Sequence, residues 1–191
     1  MNNESDHLSD KFIVANVLNG KIQDFALIVK GTEKLVTQIV KKMVFDEDDQ
    51  KDLLQDIYLK AYQNLASFQF KSKLSTWVGN IAYNTTINHL QKKKIPIYDL
   101  ETASGNASKE TENPEVEAIQ TEAVDILTVE IANLPPLYQT LITLYHLEEL
   151  TNKEIAQITN LPEGTIKSYL FRARQILKEK INHHYKRNDE K

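Results

Sequence analysis

The run Thr151-Asn152-Lys153-Glu154-Ile155-Ala156-Gln157-Ile158-Thr159-Asn160-Leu161-Pro162-Glu163-Gly164-Thr165-Ile166-Lys167-Ser168 decides how the rest of the chain is read. Thr151 followed three residues later by Glu154 has the spacing of a capping box, in which hydroxyl and carboxylate each satisfy a backbone N–H at a helix start. A short helix follows, Asn160-Leu161 makes a tight turn, and Pro162 suits the first position of a second helix, with Glu163 favourable to its dipole. The pattern predicts a helix-turn-helix. Stepping about 100° per residue puts Ile166, Leu170, Ala173, Leu177 and Ile181 on one stripe that must face a core. Gly164, Lys167, Ser168, Phe171 and Lys178 lie opposite, flanked by Arg172 and Arg174. Such a helix suits a DNA major groove, where Arg and Lys reach guanine edges and phosphates and an aromatic ring meets a thymine methyl. Gly164 lets the helix start come close to a phosphate. The competing reading half-buries Phe171 against a neighbouring helix and leaves the bases as solvated surface.

Outward from this unit, nearly every periodic segment has helical spacing and no clean apolar/polar alternation intervenes, so the chain is expected to be all-α. Helices are predicted over about 10–30, 32–44, 49–65 and 74–93, with Gly20 and Gly31 as breaks. Ile95-Pro96 ends that pattern, and DLETASGNASKETENP over 99–114 is acidic and short of large apolar residues, the composition of a flexible tether. Periodicity resumes near Val116, and Leu134-Pro135-Pro136 opens the second unit. The expectation is two small helical domains, 10–95 and 119–185, joined by a flexible acidic linker over 96–118.

The 191 residues contain no cysteine, which excludes a disulfide scaffold, a thiolate metal site and a cysteine nucleophile. The N-terminus is polar and acidic and no run of about 18 apolar residues occurs, so neither a signal peptide nor a membrane span is expected and the location is read as cytoplasmic. A net charge of −4 argues at first against a nucleic-acid partner, but the average conceals segregation. Six acids stand between Asp46 and Asp56 against Lys51 alone, whereas Lys71 to Lys94 holds five lysines and no acid. Acids dominate again from Asp99 to Glu130, and bases from Gly164 to Asn188.

On the helix over 49–65, Leu54, Ile57, Tyr58, Ala61 and Leu65 share the predicted inward face, and Asp52, Gln55, Asp56 and Leu59 the outward one. An exposed leucine ringed by two carboxylates and an amide suits a basic partner helix. Asp52 and Asp56 lack a third converging ligand, so no metal is expected there. Further on, Phe68, Phe70, Trp77 and Tyr83 interleave with Lys71, Lys73, Ser75, Thr76, Asn80, Asn84 and Asn88. Single-stranded DNA asks for this mixture: bases stack on rings for about 1–3 kcal/mol each, amides read base edges, and lysines track phosphates. Part of the set must instead be core, and Trp77, beside the stripe of Leu74, Val78 and Ile81, is open to both roles. The five histidines are scattered and no nucleophile, base and oxyanion site converge, so neither enzyme chemistry nor a cofactor is expected.

Asp52-Leu53-Leu54-Gln55-Asp56-Ile57-Tyr58, Ser75-Thr76-Trp77-Val78 and Ile81-Ala82-Tyr83-Asn84 resemble region 2 of the extracytoplasmic-function sigma factors of bacterial RNA polymerase, in the sigma-70 family. Leu134-Pro135-Pro136, Glu154-Ile155-Ala156, Gly164-Thr165-Ile166-Lys167-Ser168 and Arg172-Ala173-Arg174 resemble region 4. The resemblance implies an initiation factor in which Asp52, Leu53, Gln55, Asp56 and Leu59 dock on the clamp helices of core polymerase. The loop over 66–73 and the helix after it would capture the unpaired −10 strand. Gly164, Thr165, Lys167, Ser168, Phe171, Arg172 and Arg174 would read the duplex −35 element while region 4 docks on the polymerase flap. Opening about ten base-pair steps at about 1.4 kcal/mol each costs roughly 14 kcal/mol, more than a few stacked bases offset, so a docking face must accompany the strand-handling face. A separate anti-sigma protein covering the docking faces is also expected. Gln91, Asn88, Tyr138 and Tyr169 depart from residue types common in that family, which thins phosphate anchoring. Two other classes remain open: a stand-alone helix-turn-helix regulator that binds duplex DNA without polymerase, and an interaction protein that has lost promoter recognition.

Overall fold

The computed structural model describes residues 3–95 and 120–189, and all regular structure among them is helical. The order is α1 (Asn3–Leu18), a 3-10 turn (Ile22–Asp24), α2 (Phe25–Met43), α3 (Glu47–Asn64), a 3-10 turn (Leu65–Ser67), α4 (Leu74–Lys92), α5 (Gln120–Ala132), α6 (Pro136–Ile142), a π-helical turn (Thr143–Leu147), α7 (Asn152–Thr159) and α8 (Glu163–Asp189). The linker expected over 96–118 lies outside the described residues.

Local chemistry sets these boundaries, with one correction to the expected ones. Gly20 is a break as expected: it separates α1 from α2 with φ of 93°, a conformation costly for residues bearing a Cβ, so the span over 10–30 is divided between two helices. Gly31 breaks nothing: it sits inside α2, whose packed face holds the helix together across it. The acidic run at 46–49 is largely a helix start. Asp46 caps α3 by accepting from the N–H of Asp49 at 2.8 Å, and Glu47, Asp48 and Asp49 lie in the first turn, where the helix dipole favours negative charge.

In the first half, α2 buries Ile28, Leu35, Val36, Ile39, Val40 and Met43 against α3 and α4. The one hydroxyl of this buried face belongs to Thr32, which donates to the carbonyl of Ile28 at 2.7 Å and lies 3.2 Å from the Tyr58 hydroxyl. In the second half, the buried Gln139 of α6 donates through Nε2 to the carbonyls of Ala132 (2.8 Å) and Leu134 (2.7 Å), closing the end of α5.

The two halves pack on each other through α4 against α7 and α2 against α6. α4 is buried nearly all round because α2 and α3 cover one side and α7 the other. Gly79 makes the approach of α7 feasible: a Cβ there would stand 3.2 Å from Ile158 Cγ1 and 3.3 Å from Leu35 Cδ2. Among the described residues, no helix is long and apolar enough to cross a membrane.

Candidate docking and nucleic-acid interface

On α3, Asp52, Gln55 and Leu59 are exposed, Leu59 at 54%. Asp56 is half-buried and its Oδ2 lies 2.6 Å from Lys60 Nζ, one turn on. Leu53 is corrected: it is buried with Ile57 and Ala61 on the core side and offers a partner no surface. The expected inward stripe is rotated by about one position, so that Leu54 takes the flank. At the start of α3, Asp49 binds Lys93 and lies 3.4 Å from His89 of α4. The Lys93 ammonium holds the Asp49 carboxyl below the usual carboxylate range.

The loop before α4 is built on a ring cluster. Phe68 is buried, with its centroid 4.6 Å from Phe70 and 5.2 Å from Trp77. Phe70 adopts φ of 57°, turning the chain back over this cluster, and Lys11 Nζ lies 6.0 Å from its ring centroid. The loop is anchored to α1, because Asp10 accepts at 2.9 Å from the N–H of Leu74, the first residue of α4. Lys71 and Asn88 are exposed, and Phe70, Lys73, Ser75, Trp77, Asn80 and Asn84 are half-buried. Three candidates are corrected: Phe68, Thr76 and Tyr83 are buried and support the strand-handling surface from beneath instead of lining it. Their sequence signal, aromatic or hydroxyl beside lysine and amide, is the same for a contact and for its support.

The capping box of α7 is complete: Thr151 Oγ1 accepts from the N–H of Glu154 at 3.2 Å, and Glu154 Oε2 accepts from the N–H of Thr151 at 3.0 Å. Asn160 ends α7 with φ of 58°, the left-handed residue that makes the turn tight. Pro162 stands just before α8, its carbonyl accepting from the N–H of Ile166 at 3.1 Å, one position earlier than expected. Ile166, Leu170, Ala173 and Leu177 are buried and Ile181 is half-buried. Gly164, Lys167, Ser168 and Arg172 face outward, with Thr165 half-buried. Phe171 is 61% exposed, so it does not plug a gap between helices. Arg174 is drawn back onto the protein: its guanidinium lies 5.2 Å from the Tyr145 ring and its Nε donates to His146 Nε2 at 3.3 Å. Burial first, then the Arg174 charge, holds His146 below its ordinary pKa and keeps it an acceptor.

Sequence reasoning missed the polar seam between the halves. Lys73 Nζ lies 3.0 Å from Glu154 Oε1, Lys34 Nζ lies 3.1 Å from Glu148 Oε1, and Asn80 Nδ2 donates to the carbonyls of Gln157 and Ile158, both at 2.9 Å. Glu154 was legible as a cap, but nothing in its spacing signals a second partner 81 positions away. Among the described residues no group of three or more His, Asp or Glu converges as a metal site.

Two family profiles match the chain: Sigma-70 region 2 over residues 28–95 and Sigma-70 region 4 over residues 125–177. The ECF RNA polymerase sigma-E factor of Haemophilus influenzae is 34% identical over 185 residues, covering 93% of this chain and 97% of that protein. The ECF RNA polymerase sigma-E factor of Escherichia coli K12 is 35% identical over 185 residues, covering 93% and 96%. Among solved structures, CnrH in complex with the cytosolic domain of CnrY superposes with a TM-score of 0.64 at 16% identity, covering 91% of this chain and 97% of that one. The sigma factor RpoE of Bartonella quintana, in complex with the anti-sigma factor NepR, superposes with a TM-score of 0.60 at 20% identity, covering 84% and 95%. With both regions present in order and identity sustained over nearly the whole length of the relatives, the chain belongs to the ECF sigma factors of RNA polymerase.

Proposed function

We propose that this sigma factor divides its work between two surfaces of opposite charge. The single observation that carries the reading is the segregation of residue types on the exposed and half-buried surface: Asp52, Gln55, Asp56 and Leu59 on α3, against Lys71, Lys73, Trp77, Asn80, Asn84 and Asn88 on and before α4. The α3 face receives core polymerase, with Leu59 as the apolar anchor and the carboxylates steering a basic partner. The α4 face holds the unpaired −10 strand, with Phe70 and Trp77 as stacking surfaces and the asparagine amides at base edges. The outer face of α8 reads the duplex −35 element through Lys167, Ser168, Phe171 and Arg172.

Residues 10–95 and 119–185 are the corresponding domains, and 96–118 the linker between them. The factor contributes no chemistry of its own and acts beside the polymerase in the cytoplasm. A separate anti-sigma protein is a further partner, a reading supported by the company in which CnrH and the Bartonella RpoE were solved. Co-sedimentation with core polymerase tests the docking face. Asp52→Ala combined with Asp56→Ala is expected to weaken association at least tenfold, by about 1.4 kcal/mol or more. Unchanged association would remove the assignment.

A further inference from the structure

Gly31 and Gly79 both sit inside helices, and packing explains only the second. A Cβ on Gly79 would press on Ile158 and Leu35, whereas nothing lies within 4 Å of where a Cβ on Gly31 would stand. Glycine in a helix interior costs stability relative to alanine, because it gives up more backbone freedom on folding and packs no side chain in return. Gly31 opens instead on a cavity of about 260 Å³ between α1, α2 and the start of α4. Ile28 and Leu74 are buried at its floor, and Ile13 and Leu27 stand at its sides, Leu27 being 51% exposed at the rim.

Asp10 brings a carboxylate to this apolar hollow. Its Oδ2 accepts from the N–H of Leu74 at 2.9 Å, which uses part of the acceptor capacity of a carboxylate and leaves the rest for a second donor. The cavity adjoins the strand-handling loop. Lys11, next along α1, reaches to 6.0 Å from the Phe70 ring centroid, and Ser75, on the strand-handling face of α4, lines the cavity too. A carboxylate repels the phosphates of a strand, so what it can take from one is a donor on a base edge. Apolar side chains on either side of a hollow suit the two faces of a base turned out of the stack, and an unpaired strand has already met most of the cost of turning it. The volume lies just under the usual range for small-molecule sites, about 300–1,000 Å³, and suits one base better than a whole nucleotide.

We propose that this cavity receives one unstacked base of the unpaired promoter strand, and that Asp10 selects a base bearing an exocyclic amine there and disfavours thymine, which has none. The proposal rests on the assignment of the α4 face to single-stranded DNA. Gly31 keeps the cavity open, Ile13 and Leu27 flank the ring, and Asp10 accepts from its amine while still capping α4.

The test titrates holoenzyme, assembled from the full chain and core polymerase, with single-stranded non-template oligonucleotides. Each −10 position in turn carries cytosine, adenine, guanine, thymine or an abasic site. One position is expected at which thymine or an abasic site weakens binding about tenfold. Asp10→Asn keeps an oxygen for the Leu74 N–H and turns an amide donor toward the base, so thymine becomes favoured at that position while preferences elsewhere stay as they are. Gly31→Leu fills the cavity and removes discrimination at the same position, and urea unfolding should find it no less stable than the parent. Full discrimination by Gly31→Leu would overturn the proposal, as would an Asp10→Asn chain whose preferences match the parent's or weaken equally at every position. Cytidine and adenosine are also added to the chain alone. Tight binding of the free nucleoside, with no strand position sensitive to Asp10, would give the cavity to a small ligand and overturn the proposal too. If holoenzyme discriminates bases but never through Asp10 or Gly31, the cavity assignment falls and the α4 reading stands. If no oligonucleotide binds and no start site appears, both fall.

Discussion

Tyr138 and Tyr169 pack edge to face across α6 and α8, with centroids 5.6 Å apart and planes at 63°. Tyr138 is 6% exposed, so these two tyrosines form one structural pair that holds α8 to α6 by ring packing. Such a pair contributes about 0.5–1.5 kcal/mol beyond area burial. Tyr169→Ala is expected to lower stability by about 1–2 kcal/mol in urea unfolding. An unchanged midpoint would show that the rings do not support the recognition helix.

The close approach of α7 to α4 predicts that Gly79 tolerates no branched side chain. Gly79→Val drives new methyl groups into Ile158 and Leu35 and is expected to cost about 1–3 kcal/mol through overpacking. Thermal unfolding reads the loss. A variant as stable as the parent would mean that the halves separate without penalty.

Asp10 reaches α4 from far away in sequence and acts as its cap. Asp10→Ala is expected to cost about 1 kcal/mol, the usual worth of a helix N-cap, and to speed amide exchange at Leu74. Slow exchange at Leu74 in the variant would contradict the capping role.

Acid should weaken the seam over a defined range. Burial alone would raise the Glu154 carboxyl, but the Thr151 N–H and the Lys73 ammonium together hold it below its ordinary value near 4.5. A depressed carboxylate contributes stability that is whole above 4.5 and is lost as pH falls through the lower folded value. A decline already beginning below pH 6.5 belongs to His146, which must gain a proton against burial and the Arg174 charge. Unfolding of the parent, Glu154→Gln and His146→Gln across this range separates the two: the first variant should flatten the lower decline and the second the upper one.

On α8, Lys167 and Arg172 point outward while Arg174 is held by His146 and Tyr145. Substituting Lys167 or Arg172 should change preference at particular upstream base pairs by about 1–3 kcal/mol. Arg174→Ala should weaken binding evenly across sequences. Selection from a randomised −35 library distinguishes these outcomes, and a uniform loss for Lys167 or Arg172 would reduce them to phosphate contacts.

The helix-turn-helix was legible because its signals are local: a capping box, a turn and an apolar stripe all lie within about thirty residues. The outward carboxylates of α3 were legible for the same reason. Leu53 entered the docking set with the resemblance and not with the periodicity; the residue that the periodicity misplaced is Leu54, because a one-position rotation of a helix face lies within the tolerance of such an argument. Thr76 and Tyr83 were misread because α4 is covered on two sides, and a helix buried all round shows no contrast between faces. Glu148, Asn160 and Asp10 find partners 64 to 114 positions away, and no spacing rule reaches that far.

The most direct test is transcription from a promoter library by core polymerase with and without this chain. The account predicts a start site that appears only when the chain is added and disappears with Asp52→Ala combined with Asp56→Ala. Start sites unaltered by the chain, or duplex promoter binding at full strength with no polymerase present, would contradict it.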